Sequence, residues 1–250
     1  MSSVTENGVG IVTFNRAARL GELIESVLTT TAHCKVVVSD DGSTDDTAMV
    51  VASFPSVVYV RGPNKGVAYN KNRALFALQT CSFVALIEDD LFPSQVGWFE
   101  KYREAAIYSG LHHFCRVQDK EVEELVPEFS AWMTAQRGLT PIYGPSPRGD
   151  LTFVTSKVLK AVGGLNPEFV GVGYAHGEWS QRIFNAGLIP HPAKWVDIRE
   201  ARDQFVQKGD TEGGRWGRNP AEIKEDLKRN RAIQRKLKAS RYLHCPLELQ

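Results

Sequence analysis

Two clusters of carboxylates stand out because each follows directly on a short apolar run. Lys35-Val-Val-Val-Ser39 leads into Asp40-Asp41-Gly42-Ser43-Thr44-Asp45, and Phe83-Val-Ala-Leu-Ile87 leads into Glu88-Asp89-Asp90. A third run, Val9 to Phe14, ends at Asn15-Arg16. These runs are too short for helices and are rich in β-branched residues, so they read as buried strands. In an open parallel sheet, ligands bind beyond the carboxyl ends of the strands, where loops converge with helix N-termini. Three consecutive acids at such an end repel one another and would repel a bare phosphate. A divalent cation between them inverts that charge. Mg2+ or Mn2+ fits, because these hard ions take carboxylate oxygens and leave coordination positions for a diphosphate. The Asp-Asp-Gly-Ser-Thr-Asp stretch by itself equally suits a turn and helix cap.

The elements that must hold these groups are legible around them. Leu20, Leu23, Ile24, Val27 and Leu28 have the spacing of a one-faced helix. Ser43, Thr44 or Asp45 can cap a second helix running to about Ser53. A strand at Val57 to Val60 leads through Gly62-Pro63-Asn64-Lys65-Gly66 into a helix whose apolar face includes Val67, Leu75 and Leu78. Alternation of strand and helix over the first hundred residues predicts an α/β fold with a mostly parallel sheet flanked by helices. Residues 118–143 show no clear periodicity and read as an excursion. Gly149 to Thr155 reads as a strand, Ser156 to Val162 as a short helix stopped at Gly163-Gly164, and Glu178 to Asn185 as another helix. Pro220 to Ser240 reads as a long, mostly solvated helix.

In this order the motifs resemble those of GT-A glycosyltransferases, particularly family 2, over about residues 8 to 200. Val-Gly-Ile-Val-Thr-Phe-Asn-Arg is similar to the family's first strand, and Val-Val-Val-Ser-Asp-Asp-Gly-Ser-Thr-Asp to its second. Asn64-Lys-Gly66-Val-Ala-Tyr-Asn-Lys-Asn72 resembles its N-x-G-x-x-x-A-R-N segment, and Ala-Leu-Ile-Glu-Asp-Asp its D-x-D strand end. The resemblance implies a Rossmann-like GT-A fold and a metal-dependent transfer of a sugar from a nucleotide-diphosphate donor, often UDP-linked. Asp41 then accepts a hydrogen bond from the donor's base, Phe14, Asn15 and Arg16 pack on the nucleoside, and Asn64, Gly66 and Lys71 face the donor. Asp90 matches the metal-binding acid, with Glu88 or Asp89 toward the ribose or sugar. Glu88 replaces the first Asp of D-x-D and remains a possible second metal ligand. Lys71 replaces an Arg, and a lysine cannot grip a diphosphate bidentately.

The second half resembles the family's acceptor side through Val162-Gly-Gly-Leu-Asn-Pro-Glu-Phe169 and Gly173-Tyr-Ala-His-Gly-Glu-Trp-Ser-Gln-Arg182. That segment is also similar to one in polypeptide N-acetylgalactosaminyltransferases, which are retaining enzymes. Aligned on Arg182, the usual E-D acids fall on Ala175 and His176. The base of an inverting enzyme is therefore His176, Glu178 or Asp150, with Arg182 expected to hold the Glu178 loop. Asp197 falls where many relatives place a ligand completing the metal shell. Trp98, Trp179 and Trp195 either stack on sugar rings or fill the core.

Composition bounds the rest. With 250 residues, 42% hydrophobic and 24% charged, the chain is an ordinary globular protein, neither disordered nor collagenous. The four cysteines are scattered, without a C-x-x-C pair, which predicts reduced thiols and a cytoplasmic setting. No signal-peptide pattern or membrane-length apolar run is present. Net charge is +1, yet Gly214 to Arg241 holds ten Lys or Arg against three acids, a local +7 that leaves −6 elsewhere. Such a run is either a solvated helix or attracts an anion: a nucleic acid, an acidic membrane surface bearing lipid-linked acceptors, or a polyanionic glycan. The predicted organisation is a catalytic domain over 1–205, split into a nucleotide-sugar-binding half (1–100) and an acceptor-side half (101–205), followed by a basic extension over 206–250. The predicted function is inverting sugar transfer to an acceptor hydroxyl, with the acceptor an anionic one: a modified DNA base, or a lipid-linked or polyanionic glycan. A nucleotidyltransferase and a nucleic-acid-binding protein on a degenerate transferase fold are the alternatives.

Overall fold

A computed structural model of the chain describes residues 6–117, 124–127, 129–144, 149–191, 195–208, 219–240 and 244–247. Its first half alternates as predicted: β1 (Asn7–Thr13), α1 (Ala17–Thr30), β2 (Cys34–Asp40), α2 (Thr47–Ala52), β3 (Val58–Arg61), α3 (Val67–Ala77) and β4 (Phe83–Glu88). Then follow β5 (Leu91–Pro93), α4 (Trp98–Ser109), β6 (His113–Cys115), β7 (Glu124–Leu125), α5 (Ser130–Arg137), β8 (Pro141–Gly144), β9 (Leu151–Thr155), α6 (Ser156–Val162), α7 (Ala175–Asn185), β10 (Trp195–Ile198), α8 (Arg199–Arg202), β11 (Phe205–Gln207) and α9 (Pro220–Ser240).

The central sheet has the order β3-β2-β1-β4-β9-β6. The first four strands are parallel, and β9 runs antiparallel to both β4 and β6. Two small sheets, β10-β8-β7 and β11-β5, complete the fold. This is the mainly parallel sheet flanked by helices that the resemblance implies. Successive residues of each central strand point to opposite faces, so one sheet supports two cores. Val9, Ile11, Val36, Val38, Ala85 and Ile87 pack with α1 and α4 on one face. Val12, Val37, Val84 and Leu86 pack with α3, α6 and α7 on the other. Burying Leu20, Leu23, Ile24 and Val27 of α1 contributes roughly 1.5–3 kcal/mol per side chain.

Helix α3 departs from its expected face. Val67 is exposed, while Asn70, Lys71 and Asn72 are buried beside Ala74 and Leu75. The polar side chains go inward because each meets a polar partner there. Asn70 accepts from the Ser39 hydroxyl at 2.6 Å and donates to the Thr13 carbonyl. Asn72 donates to the Leu165 carbonyl and accepts from the Leu165 N–H.

The C-terminal part is fastened to the body. β11 pairs with β5 immediately after the acidic strand end. Helix α9 spans the predicted residues but turns Asp226 and Asn230 inward: the Asn230 amide donates to the carbonyls of Val170, Val172 and Gly173, and Asp226 accepts from the Val172 N–H. Lys224, Lys228, Arg229, Arg231, Arg235 and Lys236 remain exposed. Arg215, Arg218 and Arg241 of the basic run lie outside the described residues, as do residues 118–123 and 128 of the excursion. Farther on, the Cys245 N–H donates to the Val162 carbonyl. All four cysteines are free thiols, and burial pushes Cys34 and Cys115 up to about 12. Among the described residues no helix is long and apolar enough to cross a membrane.

Candidate active site

The strand order fixes where a ligand crevice opens. From β1 the chain steps outward through β2 to β3 and then returns to place β4 on the other side of β1. At such a switch point the flanking loops part, which leaves a crevice beyond the carboxyl ends of β1 and β4. Phe14, Asn15, Arg16 and Glu88-Asp89-Asp90 sit there. The Phe14 N–H donates to Asp89 Oδ2 at 3.3 Å, and the Arg16 guanidinium lies 3.9 Å from Asp89 Oδ1. Asn15 takes a left-handed backbone (φ 52). Its N–H donates to Ser43 Oγ and its Oδ1 accepts from the Thr44 N–H, each at 2.8 Å. The loops after β1, β2 and β4 thus form one surface, on which the Phe14 ring is 42% exposed.

The two acids after β2 divide their roles. Asp40, wholly buried, accepts from the Ser43 N–H and the Tyr59 hydroxyl and pairs with Arg61. It shapes the turn. Asp41 accepts from the N–H groups of Gly66 (2.8 Å) and Lys65 (3.2 Å), with Arg73 at 3.9 Å. Burial raises its carboxyl, against these two donors and Arg73. Gly66 presents its N–H from φ 93, a conformation L side chains rarely adopt. Asn64 stands exposed on the same loop.

Lys71 is no solvated helix residue. Its side chain is fully buried, with Nζ 2.6 Å from Glu88 Oε1, in contact with the Gly149 carbonyl, and 3.0 Å from His176 Nε2. A Cβ on residue 149 would come within 2.5 Å of the imidazole, so only glycine permits this approach. Burial, with the Lys71 charge adding to it, holds His176 well below its ordinary value. Its other nitrogen, Nδ1, meets no hydrogen-bond partner among the described residues. Tyr174, just before α7, carries φ 70, a strained setting for a bulky residue.

The remaining acceptor-side candidates separate by their partners. Glu178 is buried and gripped through both oxygens by Arg182, at 2.6 and 3.0 Å; the same guanidinium donates to the carbonyls of Val162 and Gly164. This knot joins α7 to the turn after α6. Helix α7 begins at Ala175 rather than Glu178, placing His176 and Glu178 in its first turn. Asp150 stands at the head of β9, paired with Arg116 at 2.8 Å, while its carbonyl accepts from the Glu88 N–H. Asp197, expected at the metal shell, has other partners in the fold. It is wholly buried, its Oδ1 accepts from the Tyr102 hydroxyl and the Ile198 N–H, its Oδ2 accepts from the Val117 N–H, and burial pushes it up to about 6. Trp98 and Trp179 are core residues with no exposed face for a sugar, and Trp195 donates its indole N–H to Ser180.

The sequence profile described as Glycosyl transferase family 2 matches residues 8–141, more than half of the chain and the part that carries β1 through α5. The chain belongs to glycosyl transferase family 2. Solved structures agree on the fold. The mannosyltransferase PcManGT from Pyrobaculum calidifontis, in complex with GDP-Man and Mn2+, superposes with a TM-score of 0.53 at 19% identity, covering 71% of this chain and 51% of that one. GalNAc-T7 with UDP, GalNAc and Mn2+ gives 0.61 at 14% identity, covering 78% and 44%. S. aureus TarS gives 0.51 at 17%, covering 67% and 31%. This family 2 chain thus spans about half or less of the length of those chains. No curated protein matches it by sequence.

Among the described residues no three carboxylate, imidazole or thiol groups converge on a preformed metal cage. The strand end nevertheless suits a divalent ion. Mg2+-like ions are commonly held by one or two carboxylates together with substrate phosphates, and Asp89 and Asp90 supply such oxygens. Glu88, expected as a ligand, is turned to Lys71. Burial, with Glu88 and Asp90 adding, raises Asp89 to about 7 against the opposing pull of Thr13 and Arg16, and a bound cation relieves that repulsion. One consequence is measurable without a ligand. Asp89 keeps a proton in the folded state that the unfolded chain releases near pH 4, so its ionisation opposes folding as pH rises from about 4 to about 7. The melting temperature of Asp89→Asn relative to wild type should climb across that window and level off above it. A difference constant with pH would contradict the raised value.

Several residues of this family 2 site carried no sequence signal. Arg73 beside Asp41, Arg116 on Asp150, and Gln207, whose amide lies 3.3 Å from Asp90 Oδ2, reach the site from elements distant in sequence. Lys208 donates its N–H to the Asp90 carbonyl.

Proposed function

We propose that the chain transfers a sugar from a UDP-linked donor to an acceptor hydroxyl, with inversion. The observation that carries this reading is the gathering of Phe14 to Arg16, Asp41 and Asp89-Asp90 around one crevice at the switch point of a family 2 sheet. In this reading Asp41 takes the donor's base, Phe14 to Arg16 pack on the nucleoside, and the Asn64 to Gly66 loop closes beside it. Asp90, with Asp89, would hold Mn2+ or Mg2+. A cation bound there supplies positive charge that stabilises the departing diphosphate. Asp150 is assigned to take the acceptor's proton: it heads β9 with its carbonyl bonded to the Glu88 N–H of the acidic strand end and with Arg116 orienting its carboxylate, whereas both Glu178 oxygens are tied by Arg182 to the turn after α6.

The acceptor is anionic: a DNA base or a phosphate-bearing glycan. Support comes from α9, whose exposed face carries six lysines and arginines while its inward face holds the Val170 to Gly173 loop. That loop in turn abuts Gly66, so an anion on α9 lies on the element that borders the donor loop.

A thermal-shift panel of nucleotide sugars, with and without Mn2+, tests the donor assignment. The expected result is stabilisation by UDP-sugars that requires the metal. A ligand present at 100 times its Kd contributes about 2.7 kcal/mol. No shift with any nucleotide sugar would overturn the reading. NMR of the product's anomeric proton then decides the stereochemistry.

A further inference from the structure

Lys71 Nζ has three N–H donors and no acceptor. Two reach oxygens, at Glu88 Oε1 and the Gly149 carbonyl, and the third faces His176 Nε2 at 3.0 Å. An Nε2–H in that place would set donor against donor, so Nε2 must accept and the imidazole proton must sit on Nδ1. We infer that Lys71 is a positioning residue that fixes His176 as the Nδ1–H tautomer, so that His176 serves the transfer as a hydrogen-bond donor to a substrate oxygen and not as its base.

The buried Nδ1 supports this from a second direction. It has no partner among the described residues, and a buried donor left unsatisfied is costly. An incoming oxygen, from a phosphate or a sugar hydroxyl, satisfies it. A base at the same position would need a lone pair on Nδ1, which the Lys71 contact denies it.

The inference rests on the glycosyltransferase reading for its functional half only. The tautomer is measured without substrate, by 15N-edited NMR of imidazoles in the full-length labelled protein, with His176 assigned by the signals missing from His176→Asn. The expected pattern is a neutral ring with Nδ1 protonated and Nε2 bare. Lys71→Met should move the proton to Nε2 in a chain whose circular dichroism is unchanged. An Nε2-protonated ring or an imidazolium in wild type overturns the inference, as does an unaltered pattern in folded Lys71→Met.

The functional half compares two variants in a UDP-sugar transfer assay. The side-chain amide of Asn can donate from about the Nδ1 position but cannot act as a base. His176→Asn should retain activity within about tenfold of wild type and His176→Ala should fall about 100-fold. Equal losses overturn the donor role. Binding of UDP alone, against UDP-sugar, identifies the oxygen: a defect in both points to phosphate, and a defect only with the sugar points to a hydroxyl. A wild type that turns over no nucleotide sugar fails the glycosyltransferase reading, while the NMR result still decides the tautomer.

Discussion

Asp90→Ala should reduce sugar transfer by about 10³-fold or more while leaving the fold in place. The estimate follows from what the carboxylate does in the proposed reaction. A cation held by Asp90 would offset charge developing on the leaving diphosphate, a contribution of several kcal/mol, with about 1.4 kcal/mol for each factor of ten. The fold should survive, because residue 90 is held by its backbone: its carbonyl accepts from the Lys208 N–H, and the β5–β11 pairing begins at the next residue. Asp90→Asn preserves the shape of the side chain and should be nearly as inactive, which separates loss of charge from loss of packing. The measurement is release of nucleoside diphosphate with Mn2+, beside a melting curve. Undiminished turnover in either variant would remove Asp90 from the metal site.

The second large effect is on stability. Arg182→Met should cost about 3–5 kcal/mol, because it strands the buried Glu178 carboxylate without its partner. It also removes the donors that satisfy the Val162 and Gly164 carbonyls. Natural domains have only about 5–15 kcal/mol in hand, so the variant should melt roughly 6–20 °C lower. Neutralising the stranded acid should restore part of this, so Glu178→Gln with Arg182→Met is expected to melt above Arg182→Met alone. A single variant within about 3 °C of wild type would mean that the knot contributes little. The result also bears on chemistry, since a Glu178 whose main role is to balance Arg182 is unavailable as a base.

How much of the site could be read in advance varies with the residue. Asp41 and Asp89-Asp90 were legible because each directly follows a β-branched run, and a strand end defines a position in space through its own local pattern. The division between Asp40 and Asp41 was not. Both occupy the same turn, and only the arrival of Tyr59, Arg61 and the Lys65-Gly66 loop assigns one to the turn and the other to the crevice edge. Lys71 shows the limit from the other side. On a helix an isolated lysine reads as solvated, yet Glu88 and Gly149 lie opposite it and draw it fully into the interior. Asp197, aligned as a metal ligand, is instead consumed by Tyr102 and two backbone N–H groups.

Hydrophobic period and turn residues were sufficient for the α/β alternation, the parallel strands, the carboxylates at their ends and the span of the last helix, because each depends on neighbours a few positions away. The pairing of charges was decided by the fold. Lys71 with Glu88 and His176, Arg116 with Asp150, and α9 with the Val170 to Gly173 loop join residues about 17 to 105 positions apart. A buried polar group is tolerated only when it is paired, and which pair forms depends on which strands and helices are packed together. The presence of acids and bases is therefore a local property of this chain. Whether a given one binds, positions or merely holds the structure is a property of what the packed sheet sets in front of it.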